Sequence, residues 1–121
     1  EKDSLMIYLG GYHNSVRRKL LELLHQNFPE AEYLHFGDID VGGFEIYRDL
    51  CRKTGIPFKT YHMGIEELEK YKSCTQKLTE GDCKRLEVLI KKIESEGGDT
   101  RVLQYMKEKG RKLEQEGIEQ T

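Results

Sequence analysis

A pair of aspartates, Asp38 and Asp40, is the feature of this sequence best suited to chemistry. They are separated by one residue and stand between a short apolar run and a glycine pair. Side chains two residues apart in an extended chain point to the same side, so these carboxylates repel each other unless a cation binds them. Mg²⁺, or Mn²⁺ in its place, would neutralise such a pair and bridge it to the oxygens of a phosphoryl group. The competing interpretation is structural, with Asp38 capping the turn and Asp40 capping the helix that follows.

A second candidate loop is GGYHNS, which runs from an apolar segment into the start of a helix. Gly10 and Gly11 allow the backbone to approach a bound group closely, and a helix N-terminus attracts anions. His13 can hydrogen-bond a phosphate or act as an acid, although a solvated loop histidine is the competing interpretation. Arg17 lies in the first turns of the predicted helix. We expect these four residues to contact a phosphate-bearing substrate.

Both loops follow apolar runs that the pattern predicts to be strands. The predicted series is β-α-β-α-β, with strands at residues 5–9, 32–36 and 57–62 and helices at about 14–28 and 43–54. This alternation predicts an α/β fold with a parallel, doubly wound sheet, whose ligands bind at the carboxyl ends of the strands. The apolar positions of the first helix are expected to line one side: Val16, Leu20, Leu21, Leu23, Leu24 and Phe28.

The second half of the sequence has helical patterns. A short helix is predicted at 65–71, and a longer one begins after Thr79, with Asp82 completing a capping box. Gly97–Gly98 interrupts it, Asp99 is predicted to cap the next helix, and that helix ends near Gly110. The remaining charged residues are predicted to fray. The inward positions of the two helices are expected to be Leu86, Leu89, Ile90, Ile93, Val102, Leu103 and Met106.

Composition limits the range of functions. The chain has 121 residues, a net charge of −2 and 35% charged residues, so it is expected to be one polar, cytoplasmic domain that needs local basic patches to bind nucleic acid. It contains neither a signal peptide nor an apolar run long enough to span a membrane. Cys51, Cys74 and Cys83 have no metal-ligand spacing and are predicted to be reduced thiols. The abrupt start at EKDSLMIYL predicts a fragment of a longer protein.

The pattern strand–GDIDVGGFEI–helix resembles the D-x-D half of the Toprim fold, which topoisomerases, primases and OLD-family nucleases share. It is similar to the Toprim domain of the topoisomerase VI A subunit and its meiotic double-strand-break relatives. It is still more similar to the C-terminal domain family of JetD, the nuclease subunit of Wadjet plasmid defence. Gly10–Tyr12 leading to Arg17, Leu78–Thr79 and Leu113–Glu116 also match that group. The resemblance covers about residues 5–117.

The resemblance implies a single Toprim-like (Rossmann-like) domain over residues 1–121, with a parallel sheet flanked by helices and a helical C-terminal part. It implies Mg²⁺-dependent hydrolysis of DNA phosphodiester bonds in a plasmid- or phage-defence complex, with water as the nucleophile. Asp38 and Asp40 would be the metal ligands and catalytic carboxylates, joined by Glu116, or in second place by Glu114. The implied partners are DNA and other subunits of an SMC-like complex, with a homodimer as an open alternative.

Toprim domains also carry a glutamate at the end of an earlier strand, and no such motif precedes Gly10 here. We expect that glutamate and its strand in a segment upstream of Glu1. The missing glutamate and the acidic balance leave a second hypothesis open, a non-catalytic Toprim module that binds DNA or partner subunits. A phosphatase or response-regulator-like protein is a third hypothesis. Response regulators place their paired acids after the first strand, whereas this pair follows the second.

Overall fold

The computed structural model describes residues 5–9 and 15–114, and these form a mixed α/β domain. None of the described helices is long and apolar enough to cross a membrane. A 3₁₀ turn lies at Lys72–Cys74. The helices and strands are, in chain order, β1 (Leu5–Leu9), α1 (Ser15–Asn27), β2 (Glu32–Phe36), α2 (Val41–Thr54), β3 (Lys59–Thr60), α3 (Ile65–Lys70), β4 (Gln76–Lys77), α4 (Glu80–Ser95), α5 (Arg101–Lys109) and β5 (Arg111–Lys112).

The first three strands form a parallel sheet in the order β1-β2-β3. Leu9 lies opposite Phe36, so β1 and β2 end at the same edge of the sheet, as the two-loop interpretation requires. β3 is shorter than the predicted 57–62. The N–H of Phe58 donates a hydrogen bond of 2.9 Å to the carbonyl of Ile56 instead of to β2, and His62 has a φ of +53°. Only the middle of the predicted segment therefore extends along β2.

The sheet is wound differently from the prediction. α1 and α2 contact each other, which places them on the same face of the sheet. When parallel strands follow one another in chain order and each connection between them is right-handed, the connecting helices lie on the same face of the sheet. A doubly wound arrangement, with helices on both faces, is therefore not seen among the described elements. α2 lies between two cores: Leu50 packs with Tyr33 of β2 and with Phe58, which precedes β3, whereas Phe44 packs into the core formed with α4.

The apolar positions of α1 lie along one side of the helix, but most of them are not buried. Leu21 packs against the core of the sheet, whereas Val16, Leu20 and Leu23 are 76%, 58% and 48% exposed. Successive helical residues are rotated by about 100°, so the six apolar positions span an arc of about 160° on one side of α1. Leu21 lies at one edge of that arc and meets the sheet, whereas Val16, Leu20 and Leu23 lie towards the other edge and are exposed.

The helical second half follows the sequence pattern more closely. Thr79 Oγ1 accepts a hydrogen bond from Asp82 N–H, and Asp82 Oδ2 accepts one from Thr79 N–H, which confirms the capping box. The N-cap of α5 is Thr100 instead of Asp99, although Asp99 Oδ1 still accepts from the N–H of Arg101. Gly110 ends α5 in the left-handed region, as predicted. Of the predicted inward positions, Leu86, Leu89, Ile90, Leu103 and Met106 are buried, and Ile93 and Val102 pack against them.

His35 is a fully buried residue of β2, with its ring centroid 5.7 Å from that of Tyr47. Burial lowers the pKa of His35 from 6.5 to about 4. The unfolded chain therefore takes up a proton as the pH falls below 6.5, while the folded protein keeps His35 neutral down to about pH 4. The contribution of neutral His35 to the stability of the fold is fully present above pH 6.5. It is lost progressively as the pH falls from 6.5 to about 4.

We expect the free energy of unfolding to fall by up to about 3 kcal/mol more in the wild type than in His35→Phe between pH 7 and pH 4. Phenylalanine keeps the ring contact with Tyr47 and removes the titrating group. Chemical denaturation at several pH values measures the difference between the two proteins, from which the contributions of all other titrating groups cancel. Parallel pH profiles for the two proteins would contradict the prediction.

Candidate carboxylate site at the end of β2

The acidic loop begins where β2 ends. Ile39 is fully buried, and the half-buried Asp38 and Asp40 stand on either side of it in the chain. α2 begins at Val41, two residues earlier than predicted, so the glycine pair belongs to the first turn of the helix. The loop and the helix N-terminus are therefore one continuous structure.

Asp40 is the N-cap of α2. Its backbone is extended, and its Oδ1 accepts a hydrogen bond of 2.6 Å from the N–H of Gly43. This confirms the capping interpretation for Asp40. A carboxylate has two oxygens and several lone pairs, so the cap leaves Asp40 able to bind a cation as well.

Gly43 is required by the close approach of the loop to the helix. A Cβ on Gly43 would lie 2.1 Å from the carbonyl oxygen of Asp38, which no side chain can tolerate. A Cβ on Gly42 would meet its nearest atom, Asp40 Oδ1, at 3.6 Å, an ordinary contact. The second glycine of the pair thus fixes where the Asp38 backbone lies relative to α2.

The C-terminal segment reaches the acidic loop through a backbone bridge. The N–H of Ile39 donates to the carbonyl of Leu113 at 2.7 Å, and the N–H of Leu113 donates back at 2.9 Å. Leu113 is fully buried and follows β5, which pairs with β4 in a two-stranded antiparallel sheet. The prediction that the chain frays after Gly110 is therefore wrong for residues 111–113, because a tertiary partner orders them.

This bridge brings Glu114 to the acidic loop, since side chains alternate along an extended chain and place Lys112 and Glu114 on one side. Burial raises the pKa of Asp40, and the negative charges of Asp38 and Glu114 raise it further. The Gly43 N–H and the positive charge of Lys112 oppose these effects. Two further carboxylates therefore act on Asp40 at the carboxyl end of β2.

Lys112 is shared between acids. Its Nζ lies 2.9 Å from Oδ2 of Asp82, with both side chains largely buried, and this hydrogen bond raises the pKa of Lys112. The pKa of Asp82 is lowered by its hydrogen bond from the Thr79 N–H and by Lys112. Lys112 thus offsets only part of the negative charge around Asp40.

Arg85 of α4 places a second positive group near the loop. Its guanidinium forms an ion pair with Glu45. A Cβ added to Gly42 would lie 3.9 Å from Nη2 of Arg85 and 3.6 Å from Oδ1 of Asp40, so both side chains lie beside Gly42. Glu45 lies beyond the first turn of α2, and its carboxylate pairs with Arg85. Sequence reasoning missed Arg85 and Lys112. The alternation Arg-Lys-Leu-Glu after Gly110 was the available signal for Lys112.

The other predicted site residues divide into two groups. Arg17 lies in the first turn of α1 with its side chain exposed, on the helix that follows β1. Gly10, Gly11, His13 and Glu116 lie outside the described residues. Cys51, Cys74 and Cys83 are partly buried and are not joined in a disulfide.

The carboxylates fit a hard cation only in part. Carboxylate oxygens are the protein donors that Mg²⁺ prefers. Among the described residues, however, no group of three His, Cys, Asp or Glu side chains is arranged to hold a metal ion. Asp38 and Glu114 are thus near enough to Asp40 for their charges to act on it, and further donors or a closer approach are needed to complete a coordination sphere.

The fold and the site define a class of protein, a small mixed α/β domain with an acidic loop at the carboxyl end of a parallel strand. The chain belongs to the family described as Wadjet protein JetD, C-terminal, whose model matches residues 1–121. No curated protein matches the chain. Membership implies a role in the Wadjet defence complex, and hence other subunits of that complex as partners.

The two glycines of the acidic loop provide a matched test of its geometry. We expect Gly43→Ala to lower the free energy of unfolding by about 1–3 kcal/mol, because the Asp38 carbonyl must move. Gly42→Ala should leave stability unchanged or raise it by up to about 1 kcal/mol, since alanine favours helix. Urea denaturation of both variants measures this contrast. Equal effects at the two positions would show that the loop does not close on α2 at Gly43.

Substitutions of Asp40 separate its cap from its charge. The raised pKa of Asp40 means that its ionised form destabilises the folded state at neutral pH. In the presence of a chelator, Asp40→Asn keeps a capping oxygen and should be at least as stable as the wild type. Asp40→Ala loses the cap and should be less stable by about 1 kcal/mol. Thermal denaturation at pH 7 distinguishes them, and a loss in Asp40→Asn as large as that in Asp40→Ala would contradict the electrostatic account.

Proposed function

We propose that this chain is a Toprim-like domain that hydrolyses DNA phosphodiester bonds with Mg²⁺, or Mn²⁺ in its place, within the Wadjet defence complex. One observation carries the proposal: the convergence of Asp38, Asp40 and Glu114 at the carboxyl end of a parallel strand. The Ile39–Leu113 bridge brings the third acid there from the far end of the chain. Like charges held together by the fold make a site that a cation stabilises.

In this proposal Asp38 and Asp40 hold the metal, and Glu114 and Glu116 follow Leu113 as further carboxylates. The bound ion would polarise the scissile phosphate and stabilise charge on the attacking and leaving oxygens. Asp40 keeps its orientation through its cap to Gly43. Lys112, tied to Asp82, limits the repulsion among the carboxylates before the ion binds.

The substrate would be held from two sides of this loop. Gly10, Gly11, His13 and Arg17 are proposed to contact the DNA backbone, since β1 and β2 end at the same sheet edge. Arg85 is placed to add a contact from α4, because its guanidinium lies beside Gly42 and is held there by Glu45. Guanidinium groups bind phosphate oxygens in a planar, bidentate manner.

Neutralising each aspartate in the full-length protein tests the proposal. We expect Asp38→Asn and Asp40→Asn to reduce Mg²⁺-dependent DNA cleavage by at least about 100-fold while the proteins still fold. Glu114→Gln should reduce it less if Glu116 shares its role. Asp49→Asn, in the middle of α2, is the matched control and should cleave as the wild type does. Undiminished cleavage by both aspartate variants would reject the assignment.

A non-catalytic module that binds DNA or partner subunits is the second candidate. It is favoured by the lack of a three-ligand group among the described residues. Isothermal titration of the full-length protein with Mg²⁺ and Mn²⁺ discriminates between the two. Binding that Asp38→Asn and Asp40→Asn abolish supports the nuclease, whereas no binding of either ion supports the module.

A further inference from the structure

A cavity of about 390 Å³ lies between α3, the 3₁₀ turn, α5 and β5. Three cations from three different elements line it: Lys72 of the 3₁₀ turn, Lys109 at the end of α5 and Arg111 of β5. Glu69 is the carboxylate in the same lining. In a chain whose net charge is −2, this is a local concentration of positive charge.

Arg111 is held in a fixed orientation. Its Nε donates to Thr75 Oγ1 at 3.0 Å, and its Nη2 donates to the Thr75 carbonyl at 2.7 Å. Thr75 is 9% exposed, and its hydroxyl in turn donates to the Lys72 carbonyl at 2.7 Å. These bonds leave the Nη1 side of the guanidinium available. An oriented guanidinium loses little entropy when it binds an oxyanion.

The cavity is separate from the acidic loop. Side chains alternate along an extended strand, so Arg111 and Lys112 point to opposite sides of β5. Lys112 is directed to Asp82, and its charge acts on Asp40 and Glu114, whereas Arg111 is directed into the cavity. Within the described part of the chain, no carboxylate lies within ion-pair distance of Lys72, Lys109 or Arg111, so the three charges are not there to neutralise acids of the fold.

An aromatic ring accompanies the cations. Tyr105 lines the cavity, is partly buried, and has the Lys109 ammonium 5.7 Å from its ring centroid. Cations that follow a phosphate backbone, interleaved with an aromatic ring that can contact a base or sugar, are typical of nucleic-acid strand binding. An acidic peptide would need the cations but would have no particular use for the ring.

We propose that this cavity binds a phosphate group of a nucleic-acid strand, with Lys72, Lys109 and Arg111 as its ligands. The choice of a nucleic acid over another phosphate source rests on the proposed function. The site itself rests on the geometry of the cavity. The cavity lies across β5 from the acidic loop, so it would hold the nucleic-acid strand without contacting the reacting atoms.

The test measures binding of the full-length protein to a fluorescent DNA oligonucleotide by anisotropy, in EDTA and over a range of salt concentrations. The logarithm of the binding constant falls with the logarithm of the salt concentration, and each lost phosphate contact makes this slope shallower by about 0.9 for duplex DNA and about 0.7 for single strands. We expect Lys109→Gln and Arg111→Gln to bind more weakly and each to lower the slope by about that amount. Lys91→Gln, an exposed lysine of α4, is the matched control and should not change it.

Arg111→Gln also breaks the bonds to Thr75, so Lys72→Gln and Lys109→Gln keep the test valid if that variant fails to fold. Wild-type slopes in both lysine variants would overturn the proposal, as would a wild-type protein that does not bind DNA. If the lysine variants lost binding to polyglutamate but bound DNA as the wild type does, the occupant would be an acidic peptide, and the proposal would be overturned. Competition by inorganic phosphate at millimolar concentration, with DNA affinity unaffected by the substitutions, would show a site for free phosphate and reject the strand.

Because binding is read without divalent metal, the result is independent of cleavage. Asp38→Asn in the same assay should bind DNA at least as well as the wild type, since a negative charge has been removed. Loss of cleavage in Asp38→Asn with normal slopes in the lysine variants would uphold the proposed function and reject the cavity. Normal cleavage in Asp38→Asn with reduced slopes in the lysine variants would do the reverse.

Discussion

The two hydrogen bonds between Ile39 and Leu113 are the constraint on which the rest of this structure depends. They join the parallel sheet to the helical second half, and both side chains are fully buried in the same core. Burial leaves these backbone groups without water, so they must pair with each other. Because the flanking residues on both strands are acidic or basic, the pairing that satisfies the backbone also decides which charges meet.

The acidic loop is fixed from three directions at once. The backbone of Asp38 packs against Gly43, the side chain of Asp40 caps α2, and the backbone of Ile39 pairs with Leu113. Like charges near one another would move apart in a flexible loop. Here the fold opposes that movement, and its stability offsets the cost of burying Asp40 beside other acids. Burial and those acids both raise the pKa of Asp40. Titratable groups whose pKa is shifted by burial and by neighbouring charges are more often found at functional sites than in ordinary turns.

What could be predicted from the sequence was local. The Thr79–Asp82 capping box, the C-cap at Gly110 and strand β2 depend on residues within a few positions of one another. The β4–β5 sheet has two-residue strands, too short for a period to show, and both its pairing and the Ile39–Leu113 bridge join distant segments. The same limit explains α1, where spacing alone could not tell a core-facing leucine from an exposed one. The acids of the site were therefore predictable, and their positive neighbours Lys112 and Arg85 were not.

The strand β5 separates charge of opposite sign. One side presents Lys112 and Glu114 to the acidic loop, and the other presents Arg111 to a cavity lined by lysines. A phosphate backbone would be attracted to the second side and repelled by the first, whatever the net charge of the chain. Under the proposed function, the DNA strand could approach the acids only after a cation had neutralised them. The cavity would bind the DNA strand without a cation. Binding and cleavage are then separable steps with different requirements, and the division follows from the alternation of four residues after Gly110.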